Sequence, residues 1–482
     1  MSALFPTLGR VAGELFPTIW RALRCIGRGL KKLGRALLYV LLVLLVIHII
    51  ATLITGHMVR RKLADIKASG GALTMRELAP TVPPGEPNAA DIYQRAFDAF
   101  RISTDDQDIL FNFDAPPTEE RTHLAREVIA ANEDYYELLD RASRVPACAF
   151  PVDWDAGFEM TFPHLADMRQ AARMLRVRAE VLAHDGDMDS AVASCAIVFR
   201  IAEHAKMEPT LIGQLVAYAI QLFAGDGLEN VLSQGTPSIE VSRKLYQQVA
   251  AIDQKAPFMR AIQGERACTI WVFDYVRRAI PGDLFEQLFG PSEPWLFWKM
   301  RGWRLYRTAG RPLLNLDEVT SLNLWEEYNA GLSAAWPESN ERLERTTVTI
   351  DRIPIYRGFL TKMVFPVFAR ANWRRDQMTA MIGNAQIALA LEAFKAEHGR
   401  YPDTLADLAE EGWKLPTDPF TGGPHHYRRE GAGFVVWSTG QDMDDDNGRP
   451  LDEDALRHRE FDSDEEYQRA RTDYDLPFRC AM

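Results

Sequence analysis

Asp442, Asp444 and Asp446 recur at every second residue in GQDMDDDNGRPLDEDA, and Glu453 stands eleven positions after Asp442. Hard carboxylate oxygens at that rhythm suit a calcium ion, and Asn447 can take the left-handed turn that such a loop needs. Residues 442–482 hold fourteen Asp or Glu against six Arg, so a solvated acidic tail is the competing reading. Calcium bound here would be structural or modulatory, because no reacting group stands beside it. A second acidic group, Asp153, Asp155 and Glu159 around Trp154 in FPVDWDAGFEM, is the best carboxylate set for hydrolysis. At two-residue spacing these side chains also serve as turn and capping groups, and that plainer reading is the one expected. His164, His184 and His204 are twenty residues apart, which is no ligand spacing on one helix, so a metal site is not expected there.

No Gly-rich phosphate loop, Gly-x-Ser-x-Gly elbow, His-Glu-x-x-His or Cys-x-x-Cys is present. An enzyme is therefore the less favoured class, although triads and carboxylate pairs can assemble from distant positions. The five cysteines, Cys25, Cys148, Cys195, Cys268 and Cys480, form no disulfide framework by spacing. Cys195 and Cys268 lie in apolar helical runs and read as buried small hydrophobes. A bridge among the four beyond residue 55 stays open if the compartment is oxidising.

The elements that must carry these residues begin with residues 36–55, ALLYVLLVLLVIHIIATLIT, twenty residues in which His48 is the one side chain able to carry charge near neutral pH. That length of apolar sequence spans a bilayer as a helix. A small-residue cleavage site does not follow it, so it reads as an uncleaved anchor. Before it, residues 1–35 interleave apolar residues with seven cations and one anion, as an interfacial amphipathic helix or a basic arm does. Six cations in the fifteen residues before the span against four in the fifteen after favour a cytoplasmic N-terminus. The expected location is the bacterial inner membrane, single-pass, with the bulk of the chain periplasmic. The net charge of -12 leaves -18 for everything after residue 35, which disfavours nucleic acid as a partner.

The fold class expected is mainly α. After the basic segment 1–35 and the span 36–55, residues 56–87 read as a linker, rich in Gly and Pro between residues 69 and 87. Residues 88–365 read as a helical ectodomain, a bundle or solenoid, with helices expected from Asn88 to Phe100 and from about Glu119 to Ala142. Within it, LRVRAEVLAHDGDMDSAVASC resembles one tetratricopeptide unit through Leu175, Ala179, Leu182, Gly186 and Ala191. The resemblance implies a tight helical hairpin. The segment with Trp295, Trp298, Trp303 and Tyr306 among Lys299, Arg301, Arg304 and Arg307 suits a membrane interface or partner surface, with aromatic core and solvated cations as the plainer reading.

Residues 366–447 read as a long helix stopped at Gly399, a short helix after Pro402 and Asp403, and two strands, HHYRRE and GFVVWSTG; residues 448–482 read as an acidic tail. Gly399, Tyr401, Pro402, Leu405, Leu408, Leu415, Pro416, Asp418, Pro419, Gly422, Pro424, Tyr427, Gly433, Phe434, Ser438, Gly440 and Asp442 follow one another as in the C-terminal half of type II secretion major pseudopilins. The module over about residues 380–447 resembles that family. A broader likeness, including FPVDW and EPTLIGQLVAYAI, runs to bacterial membrane proteins of planctomycete type and implies no activity. The pseudopilin resemblance implies a small α+β unit with calcium in the loop at Asp442. Pilin processing is not expected, since Arg35 follows Gly34 and Tyr39 stands where a Glu is required. The sequence thus points to an extracytoplasmic interaction or scaffold protein that takes envelope proteins as partners, calcium-modulated through Asp442, Asp444, Asp446 and Glu453. A membrane-tethered hydrolase of envelope polymers and a secretion accessory factor are the alternatives.

Overall fold

The computed structural model describes residues 5–113, 118–278, 308–365, 371–451 and 474–480, with side chains described from residue 31. The aromatic and basic segment at 293–307, the side chain of Cys25 and Glu453 lie outside what is described. The protein is mainly helical with one small antiparallel sheet. By contacts the chain divides into two compact units, Met1–Ala64 with Ala279–Val319, and Asp65–Arg278 with Thr320–Met482.

The first unit is built on helix α1, Phe5–Ala68, which passes through the apolar stretch without a break. Over Lys31–Ala68 it is long and apolar enough to cross a membrane, and none of its most apolar window is buried against protein. Exposed Leu, Val and Ile side chains on every face of a helix are what lipid, not water, solvates. At the end of the stretch Thr55 is buried; its hydroxyl donates to the Ala51 carbonyl at 2.8 Å and accepts from Asn315 Nδ2 at 3.1 Å.

The second unit opens with a correction. Residues 56–87, read as a linker, are helical to Ala68 and then form a 3-10 turn at Met75–Leu78. This piece is pinned, not free, because Met75 is buried against Ala267 and Cys268, while Arg266 and Arg260 donate to the Ala72 and Leu78 carbonyls. Helix α2 (Ala89–Ala99) starts where expected, with the Asn88 side chain accepting from the Ala90 N–H. After the short α3 (Thr104–Leu110), the single helix expected over 119–142 is two, α4 (Glu119–Ala130) and α5 (Glu133–Ser143). The break falls at buried Asn132, whose amide accepts from Arg101 N–H and donates to the Arg101 and Val128 carbonyls, thereby fixing the exit of α2.

The tetratricopeptide-like segment folds as an antiparallel hairpin, α6 (Pro163–His184) and α7 (Met188–Ala205), with Leu175, Ala179 and Ala191 fully buried. Then come α8 (Leu211–Gln234), α9 (Ile239–Ala250) and α10 (Lys255–Arg278). Helix α8 also passes a length and hydropathy test for a membrane span, yet over half of it is buried inside this unit, with Ala217, Ile220, Ala224 and Leu228 at zero exposure. It is a core helix. Helices α11 (Arg311–Ser333), α12 (Glu338–Arg352) and α13 (Phe359–Val364) follow. Trp325 and Tyr328 of α11 lie with Phe365 in a satellite core.

Helix α14 (Ala371–His398) ends at Gly399, which takes φ +71, and α15 (Leu405–Glu410) is closed by a capping box between Thr404 and Asp407. Strands β1 (His426–Glu430) and β2 (Gly433–Ser438) pair as the hairpin read from sequence. A third strand, β3 (Leu476–Cys480), pairs antiparallel with β2 and gives the order β1-β2-β3. The end of the chain, read as acidic tail, thus supplies an alternating strand with Leu476, Phe478 and Cys480 buried. The expected boundary at residue 366 is also not a division between compact units. Residues 387–391 of α14, IALAL, are buried on all sides between α8 and α9 and the sheet, so helical region and C-terminal module share one core.

Candidate functional site

The acidic loop follows β2. Asp442 Oδ1 accepts from the Asp444 N–H at 3.2 Å, and Asp444 Oδ1 from the Asp445 N–H at 3.0 Å, so these side chains shape the turn. Asn447 has φ 59, the left-handed turn expected of it, and Met443 has φ 60. Asp445 accepts from Trp437 Nε1 and the Asn447 N–H, both at 2.9 Å, and lies 3.4 Å from His426. Asp446 pairs with Arg449 at 3.2 Å, while its Oδ2 is buried without a partner.

The residue that sequence reasoning missed is Asp475. It is fully buried at the start of β3; its Oδ2 accepts from the Gly448 N–H at 2.7 Å, and its Oδ1 is buried without a partner. Burial raises its pKa above the ordinary carboxylate value, the Gly448 and Asp446 amides oppose that, and the charges of Asp445 and Asp446 add to it. The available signal was the apolar alternation just after it in LPFRC. The structure therefore separates the predicted ligand set: Asp442 and Asp444 are spent on the turn, while Asp446 is brought beside Asp475. Among the described residues no group of three or more His, Cys, Asp or Glu side chains is arranged to hold a metal ion. Buried Asp475 and partly exposed Asp446, each with one buried, unpartnered oxygen, do fit the donor chemistry of a hard cation, with loop carbonyls and water completing its shell.

The other candidates resolve into structure. Asp155 is clamped by Arg76, whose guanidinium holds it below the usual carboxylate range, and Asp153 Oδ1 accepts from the Asp155 N–H at 3.2 Å. Both are exposed, as is Glu159, so they close a loop and do not converge on a cleft. The three histidines have separate partners. His164 pairs with Glu208 at 3.0 Å and stacks on Phe150; exposed His184 meets Arg126 and Asp185; buried His204 lies between the Tyr93 hydroxyl and the Val145 carbonyl, 2.9 Å from each. Cys148, Cys195, Cys268 and Cys480 are all buried and unpaired, and burial pushes each thiol up, Cys195 to about 12.

A trough of about 590 Å³ runs along α7, between α5 and α9. Helix α9 follows α7 in the same direction, because Asp189 accepts from the Ser238 N–H at 2.7 Å near one end and Gln248 reaches Arg200 and the Ala196 carbonyl towards the other. Arg200 ties the three helices together, donating to Gln248 on α9 and to Ser143 and Asp140 on α5 at 3.0 to 3.2 Å. From Ser190 to Arg200 the floor is about 15 Å long at the helical rise. Its apolar part comes from Val192, Ala193, Ile197 and Leu245. Comparison with family models, with curated proteins and with solved structures finds no match to this chain.

Proposed function

We propose that this is a membrane-anchored interaction protein whose folded body binds other envelope proteins and whose C-terminal unit is steadied by a divalent cation, calcium by its donor set. The observation that carries the reading is the trough of about 590 Å³: a largely apolar floor with charged rims on a stack of helices, a form that suits a peptide segment. The apolar helix would hold that surface at a membrane, with an inner-membrane position and a periplasmic body as the orientation favoured by charge. The order long helix, short helix, antiparallel hairpin supports a pseudopilin-like reading of the C-terminal unit. Calcium would satisfy Asp446 Oδ2 and Asp475 Oδ1 and hold the loop against β3.

Affinity purification of the tagged full chain from solubilised membranes, in calcium and in chelator, tests the first part. Stoichiometric envelope partners are expected, and recovery of the chain alone in both conditions overturns the reading. Thermal unfolding tests the second. Calcium should raise the melting temperature of the wild type by several degrees, and Asp475→Asn should abolish that response while Asp444→Asn, whose side chain serves the turn, retains part of it. An equal calcium response in wild type and Asp475→Asn places the ion elsewhere.

A further inference from the structure

Resting on the interaction reading, we infer that the α7 trough takes a basic amphipathic peptide segment of a partner protein, with cations seated against Glu133 and Glu137. The two glutamates line the trough one helical turn apart, so they present one acidic edge. Both are exposed and neither has an ion-pair partner among the described residues. The third acid of that edge, Asp140, is already neutralised by Arg144 and Arg200, which closes the acidic edge at its far end. Across the floor, exposed Lys244 gives the opposite rim one cation and Arg178 beside Tyr136 adds a second, so the lining is mixed, its acidic part is confined to Glu133 and Glu137, and the segment needs an acid on its other side.

A second observation points to an occupant. Tyr136 lines the trough, is 3% exposed and carries a hydroxyl with no hydrogen-bond partner. Arg178 lies over its ring at 5.1 Å, so the ring is held in place while its hydroxyl stays unpaired. Buried hydroxyls are rarely left so, and a bound segment with a polar group at that depth would satisfy it. The floor between the rims is apolar and about three helical turns long, which matches two or three bulky side chains on one face of a helix.

The test is a displayed library of sixteen-residue peptides selected on the full chain in nanodiscs of zwitterionic lipid. Two variants keep the fold and alter the trough: Ala193→Trp fills it from an exposed floor position, and the double change Glu133→Lys with Glu137→Lys reverses the acidic edge. Selected peptides should carry at least two Lys or Arg on one side of an apolar face. Their affinity should fall at least tenfold in each variant. Three results overturn the inference: no enrichment, enriched peptides without a cation bias, or equal binding to Ala193→Trp. If the peptides fail but purified protein still retrieves stoichiometric partners, the trough is wrong and the interaction reading stands; peptides that bind as expected while no partner is retrieved give the converse.

Discussion

Single residues in this protein show how burial decides between chemistry and structure. His204 accepts from the Tyr93 hydroxyl through Nδ1 and must donate through Nε2, since the Val145 carbonyl only accepts. It is thus a neutral imidazole, and burial lowers its pKa to about 4. The unfolded chain protonates this group near 6.5 while the folded chain does not, so the stability it contributes is complete above about pH 6.5 and is lost as pH falls towards 4. The full gap corresponds to about 3 kcal/mol. Buried acids with raised values, such as Glu392, act with the opposite sign, so the expected signal is a difference. His204→Gln should be less stable than wild type at pH 7, yet lose less of its melting temperature between pH 7 and pH 4.5. Parallel curves for the two proteins would show that His204 titrates normally. The same contrast explains the acidic loop: alternate carboxylates were legible as a cation rhythm, but which of them turn the chain and which stay unpaired depends on Asp475, contributed by a strand nearly thirty residues away.

At the level of elements, close approach of backbones sets the core. An added Cβ on Gly264 of α10 would lie 1.8 Å from the Pro209 carbonyl oxygen, so only glycine lets α10 meet the loop between α7 and α8. Backbone cannot yield as a side-chain tip does, and Gly264→Ala should cost about 3 kcal/mol. Gly225 inside α8 has open space where its Cβ would stand, so Gly225→Ala should add about 0.5–1 kcal/mol through helix propensity. Denaturant or thermal melts of the two variants in one detergent check both signs, and similar effects would refute the α10 packing. Most helices were legible because their apolar positions recur at helical spacing and their caps are local, as with Asn88 and Gly399. The split at Asn132 and strand β3 were not, because each depends on a distant partner: the exit of α2 in one case and the free edge of β2 in the other. The trough was equally hidden, since it needs three helices side by side whose order no local pattern encodes.

At the scale of the whole molecule, one helix is long and apolar enough to cross a membrane. Fourteen Leu, Ile and Val residues in 36–55 favour insertion by on the order of 6 kcal/mol, and an arginine near the centre opposes it by about 3 kcal/mol. Leu45→Arg alone should therefore leave the protein in the membrane, whereas Leu42→Arg with Leu45→Arg should cancel the driving force. Alkaline extraction of membranes reads this directly, with wild type and single variant expected in the pellet and the double variant in the supernatant. Wild type in the supernatant would reduce the helix to a surface contact, and a double variant that still sediments would mean that residues outside 36–55 hold the chain. The Lys and Arg residues flanking the span, six in residues 21–35 against four in residues 56–70, favour a cytoplasmic N-terminus as the expected orientation. A phosphatase reporter fused after residue 482 should be active in the periplasm, and moving the cations of residues 21–35 to the other flank of the span should silence it.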